Sequence, residues 1–144
     1  NDKFPDFKDL CDYVHDQGLK IGIYSSPGPE TCGGHLGSYN HEFIDAQTWA
    51  DWGFDYLKYD WCSYEEIAED HSLPELKKPY EIMNKALKST KRDIVYSLCQ
   101  YGRGDVWKWG NEVGGHLWRT TGDIRDTWSS ITRIGFEKQL GLLL

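Results

Sequence analysis

Two stretches hold the residues that could do chemistry. Tyr56-Leu57-Lys58-Tyr59-Asp60-Trp61-Cys62 begins as an aromatic and apolar strand, then brings in a cation, a carboxylate and a cysteine. Leu117-Trp118-Arg119-Thr120-Thr121-Gly122-Asp123 has the same shape, apolar first, then a cation, then an aspartate. A buried charge is costly unless paired, so a core strand gains nothing from Lys58 or Asp60. The economical reading puts Asp60 and Asp123 at strand ends that face a cleft. Two such carboxylates suit glycoside hydrolysis, where one attacks or stabilises the anomeric carbon and the other protonates the leaving oxygen. Lys58 and Arg119 would keep the nucleophile ionised. The acid needs a raised pKa, which predicts a position farther from the cations or in a more apolar wall. The bland alternative is that both aspartates are ordinary strand-end groups paired with Lys58 and Arg119.

These residues need elements to position them. Phe7, Leu10, Cys11 and Val14 recur at helical spacing behind Asp6, a candidate N-cap, with Gly18 as the stop. A strand over Lys20–Ser25 follows, then a long Gly- and Pro-rich loop to about Tyr39. Long loops in compact domains are usually functional or disordered. Asn40 is the candidate cap of a second helix carrying Phe43, Ala46 and Ala50, and Gly53 ends it. After Cys62 an acidic stretch leads to a helix that Pro79 would open, with Tyr80, Met83, Ala86 and Leu87 buried. Ile94–Cys99 is the third strand, Trp107–Val113 a short ambiguous segment, and Leu117–Thr121 the fourth strand. Asp126 would cap a last helix carrying Trp128, Ile131 and Ile134, and the tail from Gly141 to Leu144 stops in mid-pattern.

Strands alternating with helices predict right-handed βαβ units and a parallel sheet. The fold class is therefore α/β, a partial (β/α)8 barrel of about four parallel strands with their helices. A doubly wound sheet is the rival, but it usually declares itself by a GxGxxG turn, and none occurs here. Half a barrel leaves strand edges open. The expectation is that the rest of the barrel, a partner chain or a second copy covers them. In such barrels the site lies at the C-terminal strand ends. That rim collects Tyr24, Ser25, Lys58, Asp60, Cys99, Gln100, Tyr101, Arg119 and Asp123.

Composition narrows the partners. The 144 residues are 39% hydrophobic and 27% charged, an ordinary globular balance. The net charge of −7, without a Lys/Arg cluster, argues against nucleic acid or an anionic membrane surface as partner. No apolar run approaches the ~20 residues of a membrane span. Aromatic content is 15%, which fits either a sugar-binding cleft or a large aromatic core. Cys32 and Cys62 lie in loops after strands, where they could meet. A bridge would close a loop of roughly 30 residues, worth roughly 3.5 kcal/mol, and would imply an oxidising compartment. Cys11 reads as a small buried hydrophobe.

At the same residues the chain resembles glycoside hydrolase family 27, the α-galactosidase and α-N-acetylgalactosaminidase family. The resemblance rests on Tyr56–Cys62, on Trp118-Arg119-Thr120-Thr121-Gly122-Asp123-Ile124, on Gly18–Tyr24, on Asp45–Gly53 and on Ile94–Cys99, in the family's order along nearly the whole chain. It implies a retaining double displacement on α-linked galactose, with no metal or other cofactor. Carried over by position, Asp60 matches the nucleophile and Asp123 the general acid/base. Lys58 and Arg119 match residues that hold galactose hydroxyls, and Tyr24 a sugar-contacting tyrosine after the third strand. Cys32 and Cys62 match a family disulfide flanking the site, with Cys62 also against the substrate, as are Gln100 and Tyr101. The bridge implies a secreted, periplasmic or otherwise oxidising setting. Gln100 stands where many members have Glu, at a position that distinguishes galactose from its 2-acetamido relative. Being large, it leans toward galactose. Some members pair the cysteine matching Cys99, but Gly115 stands at the partner position, so a free thiol is expected.

The resemblance also implies that residues 1–144 are the central part of a catalytic domain, strands three to six, with strands one, two, seven and eight outside it. A catalytically inactive galactoside-binding or interaction module with the same motifs is the alternative function. A zinc site of Cys32, His35, His41 and Cys62 is a third, with suitable ligands but irregular spacing. Arg103-Gly104-Asp105 reads as loop chemistry. His15 and His71 read as solvated, and His116 as packing near the bottom of the fourth strand. Trp107 and Trp109 could line an outer subsite or pack on a helix.

Overall fold

The computed structural model describes residues 4–137; the tail from Gly141 lies outside them. The elements in chain order are α1 (Phe7–Asp16), β1 (Gly22–Ser25), α2 (Glu42–Trp52), β2 (Tyr56–Asp60), a 3₁₀ turn (Tyr64–Glu66), α3 (Leu73–Ser89), β3 (Val95–Cys99), α4 (Val106–Trp109), β4 (Leu117–Trp118) and α5 (Trp128–Thr132), which runs into a π-helical turn over Arg133–Glu137. The four strands form one parallel sheet in the order β1-β2-β3-β4. This is the expected α/β arc.

Register decides what each face carries. Tyr24 pairs with Lys58, Lys58 with Ser97, and Asp60 with Cys99. Side chains alternate along a strand, so Tyr56, Lys58 and Asp60 share one face and Leu57 and Tyr59 the other. On the second face Leu57, Tyr59, Tyr96 and Leu98 are all buried under the helices. On the first face Tyr24, Val95 and Leu117 stay exposed. The helices thus sheathe the convex side and leave the side that carries the charged residues open.

Most of the aromatic content goes into the sheathed core. The Tyr80 ring lies 6.0 Å from the rings of Tyr59 and Trp61 and 6.1 Å from that of Trp109. Trp109 is therefore a core residue whose indole N–H donates to Gly104 O at 2.7 Å, while Trp107 is exposed.

Element ends follow local chemistry, with four departures from the sequence reading. Asp6 caps α1 as expected, accepting from the Lys8 and Asp9 N–H groups at 2.8 and 3.1 Å. Asn40 does not cap α2; it turns the chain at φ 61° and His41 takes the cap position. Pro79 lies inside α3, which Ser72 caps through the Glu75 N–H. An interior proline loses one backbone bond and strains the preceding turn. Burial of Pro79, Tyr80, Met83, Ala86 and Leu87 along the same face offsets that cost. Thr127, rather than Asp126, caps α5, and Trp128 stands exposed. β4 is two residues long, because pairing with β3 stops after the Arg119 N–H reaches Leu98 O at 3.0 Å.

The lower rim is tied by a residue the sequence reading passed over. Asp55, just before β2, accepts from the Ile21 N–H at 3.1 Å and from Arg92 at 2.7 Å, with Lys20 at 3.3 Å and His15 Nε2 at 2.7 Å. Arg92 also donates to Gly53 O and Phe54 O, both at 2.7 Å. His15 is thus a packing partner of Asp55, not a solvated histidine. Burial pushes the Asp55 carboxyl upward, but its four donors outweigh that and hold it far below the usual carboxylate range. His116 lies on the same rim, where its Nδ1 accepts from the Tyr96 N–H at 2.8 Å.

Candidate active site

The upper rim gathers the chemistry at the C-terminal ends of the four strands. β2 delivers Asp60, which is 5% exposed. Its Oδ1 accepts from the Trp61 N–H at 2.9 Å and from the Tyr101 hydroxyl at 2.6 Å. Its Oδ2 faces the Lys58 ammonium at 3.3 Å. Lys58 lies over the Tyr24 ring, 5.2 Å from its centroid. Burial opposes the charge on Lys58, yet Cys99 and Asp60 hold its pKa above the ordinary lysine value.

β4 and the turn after it deliver Arg119 and Asp123. Arg119 Nη1 donates to Asp123 Oδ1 at 2.6 Å and lies 3.8 Å from Cys99 Sγ. Its guanidinium sits 5.5 Å from the centre of the Tyr101 ring, a cation–π contact. An unbroken path of contacts therefore leads from Asp60 through Tyr101 and Arg119 to Asp123. The Asp123 side chain is 80% exposed. The Arg119 hydrogen bond and charge hold its carboxyl below the usual value. That is the reverse of the apolar setting expected for an acid. The cause is the ion pair with the cation four residues before it. Asp123 also borders a groove of about 570 Å³ with Arg125, Thr127 and Ser130.

A long loop forms the side wall. Cys32 and Cys62 are bonded, with Cα atoms 5.1 Å apart. Ser63 Oγ accepts from the Glu30 N–H at 2.9 Å and donates to Glu30 O at 2.7 Å. The Gly-rich loop is thereby pinned to the end of β2. The bridge is packed between two phenols: the Tyr24 hydroxyl lies 3.4 Å from Cys62 Sγ, and the Tyr101 hydroxyl lies 3.8 Å from Cys32 Sγ. Cys32 Sγ, Asp60 and Cys62 Sγ lie close together, but both sulfurs are used in the bridge, so they offer no thiolate to the zinc set considered above.

Cys99 and Cys11 are free and buried. Burial, then the Asp60 charge, pushes the Cys99 thiol up to about 11. Gln100 is placed differently from a cleft-facing amide. It is fully buried, and its Oε1 accepts from the Gly102 N–H at 2.8 Å. Its side chain holds the turn that carries Tyr101. Arg103 pairs with Glu65 and Asp105 with Lys108, so that tripeptide is loop chemistry. The sequence reading missed the bond between Tyr101 and Asp60. The available signal was a phenol two residues beyond Cys99, which pairs with Asp60 across the sheet.

The alpha galactosidase A family matches residues 1–138. The chain is 43% identical over 136 residues to alpha-galactosidase A of Cellvibrio japonicus, covering 94% of this chain and 32% of that protein. It is 51% identical over 126 residues to the alpha-galactosidase of Coffea arabica, covering 87% of this chain and 31% of that one. The solved alpha-galactosidase of Saccharomyces cerevisiae with raffinose superposes with a TM-score of 0.79 at 34% identity, covering 87% of this chain and 27% of that one. The chain thus spans about a third of the length of the curated relatives it matches. By this match along nearly its whole length, the chain belongs to the alpha galactosidase A family, glycoside hydrolase family 27.

Proposed function

We propose that this chain is strands three to six of a (β/α)8 catalytic domain, and that it supplies both carboxylates of a retaining hydrolase for terminal α-linked galactose. The observation that carries the reading is the Asp60 carboxylate. It is buried, fixed through one oxygen and turned toward a cation with the other. Asp60 Oδ2 attacks the anomeric carbon as the bond to the leaving oxygen breaks. Asp123 gives that oxygen its proton, then takes one from the water that releases the sugar. Lys58, Arg119 and Tyr24 bind hydroxyls of the galactose. Asp123 becomes an effective acid when a sugar hydroxyl draws Arg119 away, because the ion pair is what depresses its pKa. The open edges of β1 and β4 receive the remaining strands of the barrel, and the chemistry requires no metal or organic cofactor. The Cys32–Cys62 bridge supports a secreted, periplasmic or otherwise oxidising setting.

One observation favours a second reading, a galactoside-binding module without turnover. Asp123 is exposed and in ion-paired form, the wrong state for an acid. One experiment separates the two. The complete parent enzyme is assayed on a panel of nitrophenyl glycosides, with the first-formed anomer followed by NMR. Hydrolysis of the α-galactoside with α-galactose appearing first is expected. Asp60→Ala should be inactive, and azide should partly restore Asp123→Ala on an activated substrate. Binding of galactose without turnover by the wild type selects the module.

A further inference from the structure

The two oxygens of Asp60 are not equivalent. Oδ1 receives two donors, the Trp61 N–H at 2.9 Å and the Tyr101 hydroxyl at 2.6 Å. Oδ2 faces the Lys58 ammonium, at 3.3 Å. A carboxylate oxygen holding two strong hydrogen bonds has its lone pairs engaged and its rotation blocked. The other oxygen keeps a lone pair for a reacting carbon.

Tyr101 is itself held from four sides. Its backbone is in the left-handed region at φ 65°, which a bulky residue seldom adopts. The buried Gln100 side chain clamps the turn through the Gly102 N–H. A Cβ on Gly102 would lie 2.0 Å from Thr120 O, so the turn rests directly on the backbone that follows Arg119. The ring packs under Arg119, and the hydroxyl rests against both sulfurs of the bridge at 3.8 and 3.9 Å. Burial, then the hydrogen bond to Asp60, raises the phenol's pKa, which keeps the donating proton on it. An unusual backbone geometry enforced by so many neighbours is characteristic of a positioned functional group.

We propose that Tyr101 is a positioning residue for the nucleophile: its hydroxyl occupies one oxygen of Asp60 and assigns attack on the anomeric carbon to the other. This rests on Asp60 being the nucleophile of a retaining galactosidase. In the step concerned, an Oδ2 lone pair forms the bond to the anomeric carbon, the bond to the leaving oxygen breaks, and that oxygen takes the Asp123 proton.

The test uses the complete enzyme, with wild type and Asp60→Ala measured beside Tyr101→Phe on an activated α-galactoside. The phenylalanine keeps the ring under Arg119 and removes only the donor. The expected result is a kcat lower by roughly tenfold to a hundredfold, KM within about twofold, and a correspondingly slower inactivation by a fluorinated galactosyl reagent. A residue that merely binds sugar would raise KM instead, and one that merely supports the fold would lower the melting temperature or active fraction at unchanged kcat per active site. Either result overturns the proposal. A crystal structure of the trapped wild-type glycosyl-enzyme tests it with no variant. The sugar should be bonded to the Asp60 oxygen that does not face Tyr101, and a bond to the other oxygen refutes the assignment. If wild type does not turn over, or Asp60→Ala does, the galactosidase reading falls and this inference with it. If wild type is active and Asp60→Ala is not, the Tyr101 results judge Tyr101 alone.

Discussion

Asp55 and Asp60 flank one strand, are 9% and 5% exposed, and differ in what their oxygens meet. Asp55 has four donors drawn from α1, the start of β1 and the approach to β3, so both its oxygens are used. Asp60 has two donors on one oxygen and a longer ion pair on the other. Equal burial thus serves different ends. A saturated carboxylate ties elements together, whereas one with an oxygen in reserve can react. Burial alone would not have separated the two, but donor count does.

That contrast can be broken by exchanging its terms. Asp60→Asn in the complete enzyme should lower kcat/KM by at least about a thousandfold, with a melting temperature close to wild type. Asp55→Asn should do the reverse. It weakens the bonds that Arg92, Lys20 and the Ile21 N–H make to the carboxylate and should cost about 1–3 kcal/mol of stability in denaturant titrations, with activity per folded molecule retained. Equal effects of the two substitutions on activity would dissolve the distinction.

Acid sharpens it further. The folded pKa of Asp55 lies below its unfolded value of about 3.9. Its contribution is therefore whole above about pH 5 and drains away as pH falls through the unfolded and then the folded pKa. The stability gap between wild type and Asp55→Asn should be flat at neutral pH and close in acid. A gap that widens in acid contradicts the sign.

Smaller effects are expected at the wall of the site. Reducing the Cys32–Cys62 bridge releases a constraint worth roughly 3.5 kcal/mol. It also frees the surface against which Tyr24 and Tyr101 rest, so activity should fall several-fold before the protein unfolds. The smallest response belongs to the free thiols. Cys99 is almost fully buried with its pKa near 11. Iodoacetamide at neutral pH should label neither Cys99 nor Cys11 until denaturant is added, as mass spectrometry can report.

The parts of the molecule legible in the sequence were those where local chemistry and burial agree. Asp6 caps and Cys11 turns inward because the α1 pattern is regular and the cap sits beside it. The β2 motif announced both its strand and the charged residues at its end, since Lys58 and Asp60 conflict with an apolar core. Pro79 was misplaced because its backbone cost is visible locally while its compensating burial is tertiary. Asp55 and His15 were invisible for the same reason: their partners lie 34 to 40 residues apart along the chain. Asp123 was legible as a residue but not in its state, which depends on where Arg119 points.

The contact between Gly102 and Thr120 bears on how this scaffold can be altered. The turns after β3 and β4, which carry Tyr101 and Asp123, meet main chain to main chain at Gly102 and Thr120, with no side chain there to cushion a change. A graft that replaces one corner with a relative's version will collide with, or gape from, the other. Recombination aimed at new sugar preferences should therefore transplant both corners as a single cassette.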